Sequence, residues 1–311
     1  MKFGKIQDPK ILDKMQWKLP TFDALTKPFL ATLATPSTKL LLGAPAWNHK
    51  EWVGKVYPPK TRVADYLFHY SRYFNTIELN TTHYRIPTEE QTKKWCSQVP
   101  TNFVFCPKLF QGISHDRSGL LDIQLLKTWF QFLESIGSNL GPCFLQLPPS
   151  FDYSCKTLLF KFLQLWPNEF KLAIEFRHPS WFQGGVIIPA LVQYLQTRRI
   201  GLVITDVAGR QDVLHSSISA EFAMVRFVGN ALHASDFERA QLWNERLQGW
   251  QNQGLPEVIF LVHEPDDILV PELTTHLLNE VSFFKTYYPV TLPKFDLDKP
   301  PGNLDLFNSE D

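Results

Sequence analysis

Short apolar runs recur along the chain, and nearly every one ends in a polar or charged side chain. Leu40-Leu41-Leu42-Gly43 runs into Pro45 and Trp47, and Thr76-Ile77-Glu78-Leu79-Asn80 carries a carboxylate and an amide within the run. Phe103-Val104-Phe105-Cys106 stops at Lys108, Cys143-Phe144-Leu145 at Gln146, and Leu172-Ala173-Ile174 at Glu175 and Arg177. Leu202-Val203-Ile204 stops at Asp206, Phe222-Ala223-Met224-Val225 at Arg226, and Val258-Ile259-Phe260-Leu261-Val262 at His263 and Glu264. These runs have the length and composition of buried parallel strands. Helix-period stretches separate most of them. Strand–helix units repeated in this way, with reactive groups at the strand ends, predict an α/β fold. It is a (β/α)8 TIM-like barrel whose site lies at the C-terminal mouth.

The spacing predicts helices over about 62–74, from Thr88 to just before Pro100, and over 121–136, 152–167, 187–198, 235–251 and 271–287. Segment 207–220 is only weakly helical. Residues 1–39 read as an extension lying on the barrel, 40–288 as the barrel and 289–311 as a Pro- and Asp-rich flexible tail.

Alternation assigns the faces, because successive side chains of a barrel strand point to opposite sides. Ile77, Leu79, Phe103, Phe105, Leu172, Ile174 and Phe176 should face the helices. Glu78, Asn80, Lys108, Glu175 and Arg177 should then face the lumen. If the polar member points inward, Phe144 pairs with Gln146, Ile204 with Asp206 and Met224 with Arg226. His263 and Glu264 have opposite parity, so only one of them faces the lumen. A charge in such a place is costly unless it is paired or wet. Any single one could be a structural ion pair, but polar groups converging from six strands point to a functional pocket.

A length of 311 residues fits one barrel with extensions, and 31 basic residues balance 31 acidic ones. No global basic field is present to gather nucleic acid. The four cysteines have no metal-binding spacing. They read as reduced thiols of a cytoplasmic protein. The polar first 17 residues hold no secretory segment, and the apolar stretch near Phe29 is too short to span a bilayer, so no membrane partner is expected.

Several ordered motifs carry a family resemblance. They are Trp47-x4-Trp52-x-Gly54-x2-Tyr57-Pro58, Glu78-x-Asn80-x3-Tyr84, Ser114-His115, Leu140-Gly141-Pro142 with Gln146-Leu147-Pro148-Pro149, and Glu175-x-Arg177-His178-Pro179-Ser180-Trp181. Together they resemble the YecE-like family, a domain of unknown function (DUF72). The resemblance implies a TIM-like barrel, no established cofactor and no settled activity. Two runs depart from the family pattern. Arg226-Phe227-Val228-Gly229 has Val228 where the family usually has histidine. Val262-His263-Glu264-Pro265 stands where an aromatic followed by asparagines is common. His263 is a candidate to take over the missing histidine's role.

The constellation supports acid/base chemistry on a small anionic substrate, sugar-, phosphate- or nucleotide-like. Glu175, Glu78, Asp206 and His263 are the candidate proton carriers, with Glu175 first. Lys108, Arg177 and Arg226 are the candidate anion binders. Asn80, Gln146, His115 and His178 could contact the substrate, although His178 could equally brace the turn at Pro179. Trp47, Tyr84 and Trp181, with Trp52 and Tyr57, offer flat faces for a ring, or simply pack loops.

No cofactor is expected on this reading. A metal-dependent isomerase- or endonuclease-like site is an alternative. Glu175, Asp206 and His263 or Glu264 would hold magnesium or manganese, or zinc with histidine. Arg226 would oppose a cation there. A third reading is a non-catalytic ligand-binding protein linked to DNA maintenance. Asn303-Leu304-Asp305-Leu306-Phe307 resembles the bacterial sliding-clamp docking motif, with Asn303 where glutamine belongs. Leu304, Leu306 and Phe307 would then contact the clamp.

Overall fold

The apolar runs become eight strands in the computed structural model, which describes residues 4–21, 24–33, 35, 37–183, 185–293 and 295. They are β1 Lys39–Ala44, β2 Thr76–Leu79, β3 Val104–Pro107, β4 Cys143–Gln146, β5 Leu172–Glu175, β6 Gly201–Asp206, β7 Phe222–Val228 and β8 Glu257–His263. Every ladder between them is parallel, in the order β3-β2-β1-β8-β7-β6-β5-β4. The seam between β3 and β4 is closed more sparsely. Bridges join Phe105 to Leu140 and Lys108 to Phe144. Gly141 N donates to Phe105 O at 2.8 Å, and Leu109 N to Phe144 O at 3.0 Å. The result is a nearly closed (β/α)8 barrel, as the pattern predicts.

Alternation divides the core in two. Leu41, Cys106, Phe144, Ala173, Val203, Phe222, Met224, Ile259 and Leu261 fill the lumen as one cluster. Their neighbours in sequence, such as Leu42, Phe105, Leu145, Ile174, Ile204, Val225 and Phe260, join the larger core under the helices. On β6 this reverses the expected faces. Val203 is the lumen residue, so Ile204 and Asp206 face the helix layer, and Thr205 takes the inward polar position.

The helices follow the spacing closely, and their ends have local causes. Glu89–Cys96 begins where the Thr88 hydroxyl accepts from Gln91 N. Ile123–Ile136 begins at Asp122, whose carboxylate caps Gln124 N and Leu125 N. It ends at Gly137, whose φ of 61° suits glycine. Ala234–Asn252 is capped by the His233 ring, which accepts from Ser235 N. The run predicted over 271–287 breaks at Val281 into Val270–Glu280 and Ser282–Tyr287.

The weak sixth unit has a structural explanation. Between β6 and β7 the chain forms only a 3-10 turn, Ala208–Val213. The N-terminal extension fills the space. Its helix Thr26–Leu33 buries Leu30 completely, and Thr26 Oγ1 accepts from Ile218 N at 3.0 Å. Gln196 of the preceding helix donates to Leu25 O, and Arg246 of the following one to Pro20 O. The extension therefore supplies the layer that the sixth unit lacks. At the other end Leu292 still packs on the core, past the expected boundary at 288. Leu304, Leu306 and Phe307 lie outside the described residues.

Candidate functional site

Strand-end residues from β2, β5 and β7 meet in the lumen just above the apolar cluster. Arg226 is the centre. Its Nε and Nη2 donate to the two oxygens of Glu78, both at 2.8 Å, and its Nη1 donates to Glu175 at 3.0 Å. All three side chains are essentially inaccessible to solvent. Glu78 also meets His263 Nε2 at 2.9 Å and accepts from Asn80 at 2.9 Å. Glu175 accepts from Gln146 at 2.7 Å and from Arg177 at 2.6 Å. His263 is thus the lumen-facing member of the final pair, and Glu78, Glu175, Arg226, Arg177, Asn80 and Gln146 converge as alternation required.

Burial opposes ionisation of both carboxyls, but the neighbouring cations win. For Glu78 those are Arg226 and then His263, and its carboxyl is held well below the usual range. For Glu175 they are Arg177 and Arg226, which hold it at about 2. Arg226 is driven up by the same two carboxylates, against the cost of burial. A bidentate guanidinium–carboxylate pair of this kind is rigid as well as strong.

Lys108 extends from the end of β3 into the same site. Its ammonium makes no hydrogen bond or ion pair with any described residue. Burial pushes it down, and Arg226 adds to the effect, to about 8. Beside it lie two imidazoles, one of which, His83, the sequence reading missed. The rings of His83 and His115 are 4.9 Å apart and nearly perpendicular. Burial lowers both, and the charges of Lys108 and Arg177 lower them further, His115 to about 4. Thr205 is the other missed residue: its hydroxyl is buried without a partner among the described residues.

Other expected site residues lie elsewhere. Asp206 leaves the lumen because the helix Ala234–Asn252 offers it better partners. Arg239 meets it at 3.0 Å, and the Trp243 indole donates at 2.9 Å. Trp181 is fully buried against Phe151 and Phe176 and donates to Phe151 O at 2.7 Å, so it has no free face. Trp52 and Tyr57 are likewise fully buried. Trp47 lies edge-on to Trp95 in a surface groove with Leu67. Tyr84 is 71% exposed, its ring against that of His83. His178 accepts from Ser180 N and caps the turn Pro179–Trp181. The proposed metal ligands are separated by the displacement of Asp206. Among the described residues no group of three or more His, Cys, Asp or Glu is placed to hold an ion.

Beside His263 a cavity of about 210 Å³ is lined by Val228, Glu264 and residues of the N-terminal extension, including Lys5 and Leu12. Glu264 faces the helix side and accepts from Ala231 N and Leu232 N. Burial, reinforced by Asp236, raises it to about 8. A Cβ on Gly229 would sit 2.4 Å from Glu264, so this contact requires glycine. The two loops here carry four non-glycine residues with positive φ: Ala231, Leu232, Asp266 and Asp267. Such strain gathers where a site is held in shape by its surroundings.

Residues 41–292 match the family described as "Protein of unknown function DUF72". The chain belongs to the DUF72 family. It is 28% identical to the UPF0759 protein YecE of Escherichia coli K12 over 260 residues, covering 78% of this chain and 92% of that one. It is 27% identical to the UPF0759 protein YunF of Bacillus subtilis 168 over 150 residues, 46% of this chain and 52% of that one. Two solved DUF72 proteins share the fold. One, from Enterococcus faecalis V583, has a TM-score of 0.61 at 18% identity, covering 79% of this chain and 99% of that one. The other, from Thermotoga maritima MSB8, has a TM-score of 0.60 at 19% identity, covering 77% and 99%. Among the described residues of this DUF72 chain, no helix is long and apolar enough to cross a membrane.

Proposed function

We propose that this DUF72 protein is an enzyme that binds a small anionic substrate at the C-terminal barrel mouth and acts on it by proton transfer. The observation that carries this reading is the unpaired ammonium of Lys108 in a site where cations outnumber carboxylates. A half-buried ammonium without a counter-charge is costly unless it deprotonates or acquires a partner. An anionic group seated against Lys108 and Arg177 would relieve that cost. Glu78 and Glu175, clamped in their ionised form, are weak bases. In this proposal they fix the guanidinium groups in place, and the proton carriers are the neutral imidazoles and Lys108. No metal or organic cofactor enters the proposal.

The test is thermal unfolding of the wild type and Lys108→Ala with sulfate, phosphate and phosphorylated sugars. An anion present at about a hundred times its Kd should add roughly 2.7 kcal/mol of stability to the wild type. Equal stabilisation of Lys108→Ala by the same anion would overturn the reading. The pentapeptide Asn303–Phe307 supports a second proposal, docking to a sliding clamp. Leu306→Ala with Phe307→Ala should abolish binding of the full chain to a purified clamp. Absence of binding by the wild type would remove it.

A further inference from the structure

Lys108 has the environment of an amine nucleophile, and this deepens the anion-site reading on which it rests. It lies at a strand end inside the mouth, partly accessible, and no described residue accepts a hydrogen bond from its ammonium. The two carboxylates that could have held it, Glu78 and Glu175, are both committed to Arg226. The two nearby imidazoles have a defined tautomer. His83 Nδ1 is 3.0 Å from Leu109 O, which can only accept, so Nδ1 carries the proton. The Ser114 hydroxyl donates to Phe110 O and lies 2.8 Å from His115 Nδ1. Its single proton is then used, so His115 Nδ1 is also the donor. Nε2 of each ring is therefore left as a basic lone pair without a partner among the described residues.

We infer that Lys108 forms an imine with a carbonyl-bearing anion, a 2-oxo acid or an aldehyde carboxylate, whose carboxylate is seated on Arg177. The Lys108 ammonium gives a proton to an imidazole Nε2, and the free amine attacks the carbonyl carbon. The carbonyl oxygen takes the proton released from nitrogen, giving the carbinolamine. The imidazolium returns the first proton to that hydroxyl, which leaves as water as the C=N bond forms. Ammonium and carbonyl thus become protonated imine and water, with no redox change. The depressed basicity of Lys108 fits the role, because the free amine is then accessible near neutral pH.

The experiment treats the full chain with glyoxylate and sodium cyanoborohydride, which traps an imine as a carboxymethyl-amine, and maps the product by peptide mass. Lys108 should be modified at least about tenfold faster than the exposed Lys50, and sulfate should slow it. Lys108→Met should lose the product, and His115→Ala should slow its formation. Modification of Lys108 no faster than Lys50, with sulfate still stabilising the wild type but not Lys108→Met, overturns the imine and leaves the anion site standing. Fast modification that sulfate neither slows nor accompanies with stabilisation upholds the reactive amine and overturns the anion site. Slow modification without any sulfate effect overturns both.

Discussion

Replacing Arg226 by methionine keeps an apolar stem and removes the guanidinium, whose carbon lies 5.8 Å from the Phe144 ring centroid. Three charge-assisted hydrogen bonds disappear, at 2.8, 2.8 and 3.0 Å. Glu78 retains Asn80 and His263, and Glu175 retains Gln146 and Arg177. Removing one partner from a buried ion network leaves uncompensated charge and costs about 3–5 kcal/mol. With an unfolding entropy of about 2.1 cal/mol/K per residue over 311 residues, that is a fall in Tm of roughly 5–8 °C at pH 7.

The pH dependence gives the sharper test. In the wild type both carboxyls are held below their unfolded values. Their contribution is therefore fully present above pH 4.5 and fades as pH falls toward about 2, where Glu175 titrates. Without Arg226, burial raises Glu78 in the folded state. The variant should then lose stability as pH rises from 5 to 8, and Glu78→Gln added to Arg226→Met should recover part of the loss. Calorimetric melting across that range is the assay. A deficit under roughly 2 °C at pH 7, or one that does not change between pH 5 and 8, would refute the argument.

Asp206→Asn should cost about 3 kcal/mol by urea unfolding, because Arg239 loses an ion-pair partner; the response to sulfate should be unchanged, and a lost response would place Asp206 in the ligand site after all. Glu264 binds its proton up to about pH 8 in the folded state, against 4.5 ordinarily, so its effect is a decline of stability as pH rises through that window. Glu264→Gln should remove a slope of up to about 1.4 kcal/mol per pH unit, measured as urea midpoints from pH 5 to 8. Leu30→Ala should cost about 2–5 kcal/mol, as for a core leucine of the barrel, although it lies in the extension. A change under about 0.5 kcal/mol would show that the extension is a surface addition.

The barrel was legible because two periodicities agree along most of the chain. Inward parity was right wherever the strand carries an apolar lumen residue two positions before the polar one, as in Phe144 with Gln146 and Met224 with Arg226. It failed on β6, where the assumption that a charged residue must face the lumen overrode Val203. Besides nearby Gln211, Asp206 is held by Arg239 and Trp243, more than thirty residues away on a helix, and no local pattern announces that pairing. His83 escaped notice because it follows β2 in a 3-10 turn, where alternation no longer applies. Trp181 and Trp52 misled for the opposite reason: a tryptophan in a motif is as easily a wedge in the core as a ligand platform, and only burial separates the two. The sixth unit looked weak because its missing helix is encoded nearly two hundred residues earlier.

Among the described residues two buried arginines each lie between two carboxylates, and their difference separates structure from chemistry. On the helix side Arg239 joins Asp206 to Asp236 and lies over the rings of Trp17 and Phe227, at 5.3 and 4.7 Å. That cluster is one negative charge in excess, and its Asp236 adds to burial in keeping the adjacent Glu264 protonated to about pH 8. In the lumen Arg226 joins Glu78 to Glu175, but Arg177 and Lys108 are added, so among the described residues the cations outnumber the carboxylates. Here burial, with Arg226 adding to it, loosens the proton of Lys108 to about pH 8. The same electrostatic rule thus makes an inert neutral acid in one place and an available amine in the other. Glu264 is held by backbone donors and a glycine contact on the wall of the cavity beside the N-terminal extension, whereas Lys108 stands at the barrel mouth without a partner among the described residues.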